Sequence, residues 1–333
     1  MKVIIPVAGA GTRLRPHTYT QPKPLIPVAG KTILATIIDQ LLEVDSLQQI
    51  ILVIGYLGDK IREYVQKTYP NAPIEFVYQE QRLGLGHAIL TAKTQIGADQ
   101  ELFIVLGDII FDCDLAQIVH SPHSCLAIKK VEDPRDFGVA ELNEEGFVRR
   151  LVEKPKIPKS NLALIGLYKI NEVALLFECL GHLIINDLRT RNEYQLTDAL
   201  MLMIEKGAKF NTLKVDIWHD CGRKEILLET NALLLKRASF KNPSQPQFPH
   251  TIIIPPVFIG QNCQLQNAII GPNVSIGDHS QLKNTIVKNS IIGNFATIED
   301  AVLNKSLIGN DVAIKGVSQS LNIGDNTEID FSV

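Results

Sequence analysis

The C-terminal part of the chain carries the strongest constraint on its fold. Ile259, Ile276, Ile292, Ile308 and Ile323 head successive units spaced about sixteen residues apart. Inside each unit an aliphatic residue recurs every five or six positions, and glycine often follows it. Residues 269–282 (I-I-G-P-N-V-S-I-G-D-H-S-Q-L) and 307–314 (L-I-G-N-D-V-A-I) show the pattern. A stacked aliphatic with polar turns at so short a period implies a parallel β-helix. One coil of three short strands cannot bury its aliphatics alone, so the coils must stack, and the repeat accommodates four to five of them. An ordinary sandwich would not hold this spacing over about seventy residues.

Upstream the texture differs. Val3–Val7 is an apolar run bounded by glycine and predicts a buried strand. Within 31–44, Ile33, Ile37, Ile38, Leu41 and Leu42 share one helical face. Further strands are predicted at Ile50–Ile54, Ile74–Tyr78 and Leu102–Leu106, with helices at Lys60–Tyr69 and Gly86–Gln95 between them. Such alternation calls for a mostly parallel sheet covered on both faces. After Cys125 the pattern loosens into strands with a hairpin turn at 143–146, and helices return at 172–180, 197–206 and 224–237. Residues 241–256 carry five prolines and read as a linker between a first domain, 1–240, and the β-helix, 257–333.

The 333 residues exceed one ordinary domain and suit two. A net charge of -3 gives no reason to expect nucleic acid or an anionic membrane as partner, so any anion site must be local. No apolar run approaches ~18 residues, which argues against a membrane span. The N-terminal apolar run is too short for a signal peptide. Cys113, Cys125, Cys179, Cys221 and Cys263 are scattered without a C-x-x-C pair, and free thiols in a reducing cytoplasm are expected.

The first strand runs into V-A-G-A-G-T-R-L-R-P, Val7 to Pro16. A P-loop would need Gly-Lys-Ser/Thr, but Thr12 and Arg13 follow the second glycine. A dinucleotide fingerprint would need a third glycine where Leu14 stands. What remains is a cradle in which Gly9 and Gly11 let backbone N–H groups approach an anion. Arg13 adds a planar fork suited to phosphate oxygens, and Lys23, in P-K-P, adds a point charge. A tight strand-to-helix turn with solvated arginines would share the bare G-x-G. Asp108 ends the apolar strand L-F-I-V-L-G-D, where parallel sheets place ligands and where a lone carboxylate suits Mg²⁺; an aspartate capping a helix is the plainer reading.

The stretch VAGAGTRLRPHTYTQPKPLIPVAGKTIL resembles the signature of the sugar-1-phosphate nucleotidylyltransferases. QEQRLGLGHA (79–88), LGDIIFDCDL (106–115), DFGVAEL (136–142), VEKPKIPKSNLALIGLY (152–168), EYQLTDAL (193–200) and WHDCG (218–222) resemble later blocks of that family in the same order. The resemblance implies a Rossmann-like catalytic domain, and the C-terminal repeat resembles the left-handed β-helix of the family's longer members, among them glucose-1-phosphate thymidylyltransferases. It implies attack of a sugar-1-phosphate oxygen on the α-phosphorus of a nucleoside triphosphate, with Mg²⁺ and release of pyrophosphate.

By the same resemblance, Arg13, Lys23 and Lys154 are catalytic cations, and Ala8, Gly9, Gly11, Thr12, Gln79 and Gly84 hold the nucleotide. Gln79 offers both donor and acceptor to a base edge, which suits a pyrimidine. Gly138, Glu153, Lys154, Gly166 and Glu193 match positions that hold the sugar-1-phosphate, with Lys154 on its phosphate. Asp108 and Asp220 would hold the metal. Cys221 departs from the small hydroxyl residue common after the second aspartate, which could make the protein thiol-sensitive, and Phe137 replaces a tyrosine of some relatives. His17, His87 and His219 lie inside motifs, where packing or base contact is expected. dTTP or UTP with glucose-1-phosphate is the leading pair, and GTP with mannose-1-phosphate stays open. So do acyl transfer by the β-helix, whose coils contain His279, and a non-catalytic regulatory subunit. Assembly into a homo-oligomer through the β-helix is the expected role of that domain.

Overall fold

The computed structural model describes residues 1–97, 101–237 and 248–316, together with Gly324 and Thr327. Ile323, the head of the last repeat, lies outside the described residues, as do 241–247 of the proline-rich segment. The chain divides into two compact units, Met1–Thr230 and Asn231–Val333.

The first unit runs β1 (Lys2–Pro6), β2 (Pro27–Val28), β3 (Lys31–Thr32), α1 (Ile33–Leu42), β4 (Gln49–Ile54), α2 (Gly58–Thr68) and β5 (Ile74–Tyr78). It continues with α3 (Leu85–Thr91), β6 (Leu102–Val105), β7 (Ile109–Asp112), α4 (Leu115–Val119) and β8 (Ser124–Lys130). Next come β9 (Gly138–Leu142), β10 (Val148–Glu153), β11 (Leu162–Ile170), α5 (Val173–Ile185) and α6 (Leu196–Glu205). β12 (Phe210–Lys214), β13 (Ile217–Asp220) and α7 (Lys224–Lys236) follow, the last crossing the division between the units.

The large sheet is ordered β10-β9-β11-β6-β1-β4-β5, with β8 paired to β11 and β12. β6, β1, β4 and β5 are mutually parallel, and β11 enters antiparallel between β6 and β9. The sheet is therefore Rossmann-like and mixed, parallel from β6 through β1 and β4 to the β5 edge and antiparallel around β11. Ile4 pairs with Ile51 on one side and Ile104 on the other, and all three are fully buried. Each such side chain contributes about 1.5–3 kcal/mol. The chain moves one way from β1 to β4 to β5, then returns to place β6 on the other flank of β1. That reversal opens a crevice at the carboxyl ends of β1 and β6, the usual ligand position in such sheets.

Local chemistry sets the element ends. The helix expected over 31–44 begins at Ile33, because Lys31–Thr32 pairs with Pro27–Val28 and the Thr32 hydroxyl accepts the Ala35 N–H at 3.0 Å as an N-cap. The helix expected over 86–95 is α3 followed by a 3₁₀ turn at Lys93–Gln95. The one expected over 172–180 continues to Ile185, since Leu183 is still core. The predicted turn at 143–146 closes the β9–β10 hairpin, with Asn143 accepting from Phe147 through its side chain at 2.9 Å.

In the second unit three four-stranded parallel sheets wind into a left-handed β-helix. Pairing steps are 17 residues in the first coils (Val257 to Val274) and 16 afterwards (Ile276 to Ile292 to Ile308). Ile252–Ile253 already pairs with Ile269–Ile270. Ile259, Leu265, Ile270, Ile276, Leu282, Ile292 and Ile298 fill the interior. The recurrent I-G-D/N has a specific cause. Asp278 Oδ1 accepts the Gln261 N–H at 2.7 Å, Asn294 Oδ1 that of Asp278 at 2.9 Å, and Asn310 Oδ1 that of Asn294 at 2.8 Å. A methyl group on Gly260, Gly277 or Gly293 would collide with these oxygens.

Candidate functional site

The crevice holds a cavity of ≈ 790 Å³. Ala8, Gly9, Gly11, Thr12 and Arg13 line one wall after β1, and Leu106, Gly107 and Asp108 another after β6. Gln79, Gly84, Glu193, Lys23 and Gly222 also line it, as do the charged Glu80 and Arg82. The glycine loop is shaped by contacts rather than by a long helix. Gly11 sits at φ +59°, the Thr18 hydroxyl donates to its carbonyl at 2.9 Å, and a Cβ there would press on Lys23 Cβ at 3.0 Å. Gly9 opens to free space. A 3₁₀ turn at Thr12–Leu14 then turns Arg13 toward Asp220.

Four charges meet here: Arg13, Lys23 and Asp108 line the cavity, and Asp220, outside the lining, contacts both cations. Lys23 Nζ donates to Asp108 Oδ2 at 2.6 Å and lies 3.5 Å from Asp220 Oδ1, and Arg13 donates to Asp220 Oδ2 at 3.3 Å. Burial opposes charge on Lys23, yet Asp108 and Asp220 beside it raise its pKa above the ordinary lysine value. Burial likewise pushes Asp108 up, and Lys23 and Arg13 more than reverse this, so its pKa ends below the usual carboxylate value. Both groups stay ionised at neutral pH. Asp220 ends β13, which pairs antiparallel with β7 just after Asp108; Asp220 lies opposite Ile109, and the Cys221 N–H donates to the Asp108 carbonyl at 3.0 Å. Asp108 therefore sits in the turn between β6 and β7 and does not cap a helix.

Lys23 itself tests whether a metal fits. Asp108 Oδ2 and Asp220 Oδ1 lie 2.6 Å and 3.5 Å from the same Lys23 Nζ, so the two carboxylates face one cationic point and are the pair that could hold a divalent ion. Two carboxylates leave the remaining positions to phosphate oxygens and water, the usual Mg²⁺ arrangement.

Gln79, expected at the base, is buried, 4% exposed, and its Nε2 lies 3.2 Å from the Gly84 carbonyl and 2.9 Å from His87 Nδ1. Gly84, at φ +113°, is held against Tyr194 and Glu193, where a Cβ would come within 2.7 Å and 2.8 Å. Residues 79–88 and the Glu193 segment thus meet directly.

Of the remaining residues expected to hold the sugar, none lines the cavity; Gly138, Glu153 and Lys154 form a cluster of their own. Glu153 accepts from the Thr197 hydroxyl at 2.7 Å, Lys154 Nζ lies 3.5 Å from Glu153, and a Cβ on Gly138 would lie 3.2 Å from Glu153. Lys154 stands at φ +42°, pinned by its N–H to the Phe137 carbonyl at 3.0 Å and by Arg191 on its own carbonyl at 2.9 Å. Gly166 is buried behind β6 at a register break of β11, where a side chain would run into Leu106. Tyr168 links the clusters: burial, then the negative charges of Glu153 and Asp108, raise its pKa.

Several residues were not singled out from sequence. Gly222 seats Arg13, since a Cβ there would lie 2.5 Å from the guanidinium Nη2. Gly107 lets β6 close on Val7, and Thr197 holds Glu153. D-C-G at 220–222 was visible, but only the fold brings Arg13 across 207 residues to lie over it. The Cys221 thiol is fully buried and burial pushes it up to about 12, which argues against the thiol sensitivity its position suggested. Phe137 packs edge-on to Trp218 with centroids 5.0 Å apart.

A glycine cradle, two cations and two carboxylates at a topological switch point define a site built for phosphate chemistry. The nucleotidyl transferase family model matches residues 2–237, and the chain belongs to that family. Among its relatives, the bifunctional protein GlmU of Methanococcus vannielii is 39% identical over 243 residues, covering 71% of this chain and 55% of that one. The UTP–glucose-1-phosphate uridylyltransferase AglF of Haloferax volcanii is 31% identical over 233 residues, covering 68% and 93%. A UDP-glucose pyrophosphorylase complexed with UDP-glucose superposes with a TM-score of 0.60 at 28% identity, covering 71% of this chain and 99% of that one. The match spans about half the length of the GlmU relatives. Among the described residues no helix is long and apolar enough to cross a membrane.

Proposed function

We propose that this protein transfers a nucleoside monophosphate from dTTP or UTP to glucose-1-phosphate, giving a nucleotide-sugar and pyrophosphate. The observation that carries the reading is the Arg13–Asp220–Lys23–Asp108 constellation at the cavity. A sugar-phosphate oxygen attacks the α-phosphorus, the bond to the β-phosphate breaks, and its electrons leave with pyrophosphate. Both reactants are anions, so positioning and charge neutralisation dominate. Mg²⁺ held by Asp108 and Asp220 would neutralise triphosphate oxygens. Arg13 steadies the departing pyrophosphate. Lys23 faces the α-phosphate, where charge builds. Glu153 and Glu193 take sugar hydroxyls, and Lys154 takes the sugar's phosphate.

Five free cysteines suit a reducing cytoplasm. The β-helix bears a row of exposed apolar residues, Ile252, Ile286 and Val302, on one face, which supports assembly into a homo-oligomer; a monomer by light scattering at micromolar concentration overturns that role. The bifunctional relatives favour acyl transfer as a second reading. Against it, His279 is exposed at a coil corner and stacks on Phe295 at 4.9 Å, rather than lining a cavity.

Pyrophosphate release with Mg²⁺ across dTTP, UTP, GTP, ATP and CTP and a panel of sugar-1-phosphates tests the proposal. Release with dTTP or UTP and glucose-1-phosphate supports it. Release only with GTP and mannose-1-phosphate overturns the base assignment, and no release from folded protein favours a regulatory subunit.

A further inference from the structure

His87 stands behind the base pocket and outside the cavity lining, yet it touches the residue that reads the base. Gln79 lines the cavity, and its amide nitrogen has two protons to place. The Gly84 carbonyl, which also accepts the Ala88 N–H at 3.1 Å, is an acceptor only, so the group facing it at 3.2 Å must be the NH₂. The reverse amide would set two oxygens against each other. The second proton then points to His87 Nδ1 at 2.9 Å, which requires the imidazole to carry its own proton on Nε2.

We infer that His87 is a positioning residue for base selection: with Gly84 it takes both amide protons of Gln79 and leaves that side chain an acceptor only toward the base. The inference rests on the base-pocket reading above and goes further, because a free glutamine can present either end. An acceptor facing a ring nitrogen demands a ring N–H. Uracil and thymine carry one at N3, and cytosine has a lone pair there. Burial lowers the His87 pKa, which keeps the ring neutral and Nδ1 free to accept. The environment is otherwise tolerant: His87 is only half-buried.

The test compares kcat/KM for UTP with that for CTP, with glucose-1-phosphate and Mg²⁺, in wild type, His87→Leu, His87→Ala and His87→Asn. Leucine and alanine remove the acceptor, and either suffices if the other folds poorly. Asparagine restores a carbonyl near the Nδ1 position. The expected result is a wild-type preference for UTP that falls about five- to tenfold in the acceptor-less variants, the factor of one neutral hydrogen bond. It falls through a higher KM for UTP, and His87→Asn keeps it within about twofold. An unchanged ratio in His87→Leu and His87→Ala, or a fall in His87→Asn as large as theirs, overturns the inference alone. A wild-type enzyme with no preference for UTP over CTP overturns the base-pocket reading and this inference with it.

Discussion

Gly222→Ala separates the seating of Arg13 from the stability of the fold. The added methyl would lie 2.5 Å from Arg13 Nη2, 2.8 Å from its Cζ and 3.1 Å from Asp220 Oδ1. The Arg13 side chain is 51% exposed and flexible, so the guanidinium moves and the backbone does not. Gly222 lacks a left-handed φ, so alanine fits its backbone and thermal stability should hold or rise by about 0.4–1 kcal/mol. Activity should not hold. A cation aimed at a departing phosphate group resembles an oxyanion-hole donor, whose removal costs about 10²–10³-fold. Arg13→Ala should therefore lose about 10²–10³-fold in kcat/KM, and Gly222→Ala about 10²-fold by displacing the same group. The two changes act on one side chain, so the double variant should be little worse than Arg13→Ala. The assay is steady-state pyrophosphate release with the best nucleotide and sugar-phosphate pair, with melting curves alongside. Gly222→Ala within about threefold of wild type, or losses that multiply in the double variant, would refute the seating argument.

Three other outcomes follow from the geometry. Gly277→Ala drives a methyl into Asn294 and the backbone of the next coil, so it should destabilise the β-helix by about 1–3 kcal/mol, seen as a lower denaturation midpoint with pyrophosphate chemistry intact below it. With its pKa pushed up to about 12 and no solvent exposure, Cys221 should resist iodoacetamide at pH 8 in the native state and react once the protein is unfolded; rapid native labelling by peptide mapping would contradict this. Asp108 has its folded pKa depressed below the ordinary 3.8, so the stability it lends is present above that value and is lost as pH falls through the depressed one. Melting temperatures from pH 5 downward should therefore fall more steeply for wild type than for a Lys23→Met, Asp108→Asn pair, and parallel curves would remove the pair from the account.

The sequence shows the sheet and the coils because both are written in short-range periodicity. Ile4, Ile51 and Ile104 lie in runs apolar enough to read directly as buried strands. The β-helix repeat gives its own coil length, to within the change from 17 to 16 that the pairing reveals. Individual residues of the candidate site were legible where a motif held them, as with Gly11, Arg13, Lys23 and Asp108, which the fold brings to one cavity. Their relations were not. That Lys23 lies across both carboxylates, that Gly222 makes room for Arg13, and that Thr197 holds Glu153 depend on contacts between segments far apart in the chain. Helix ends also escaped, because α1 is trimmed by a two-strand pairing that no local propensity announces.

The Gly-Asp/Asn joints of the β-helix carry a consequence for how such a chain changes over time. Every joint is the same: a side-chain oxygen of one coil on the backbone N–H of the coil before, with a glycine beside it to admit the oxygen. Among the described residues each coil's strands pair only with those of the neighbouring coils, so duplication or loss of one whole coil leaves the pairing pattern of the others unchanged. Length is then the freest variable in this unit of the molecule, open to change by recombination in whole coils, and the step from 17 to 16 residues shows that a coil also absorbs a single extra residue without losing the pairing beyond it.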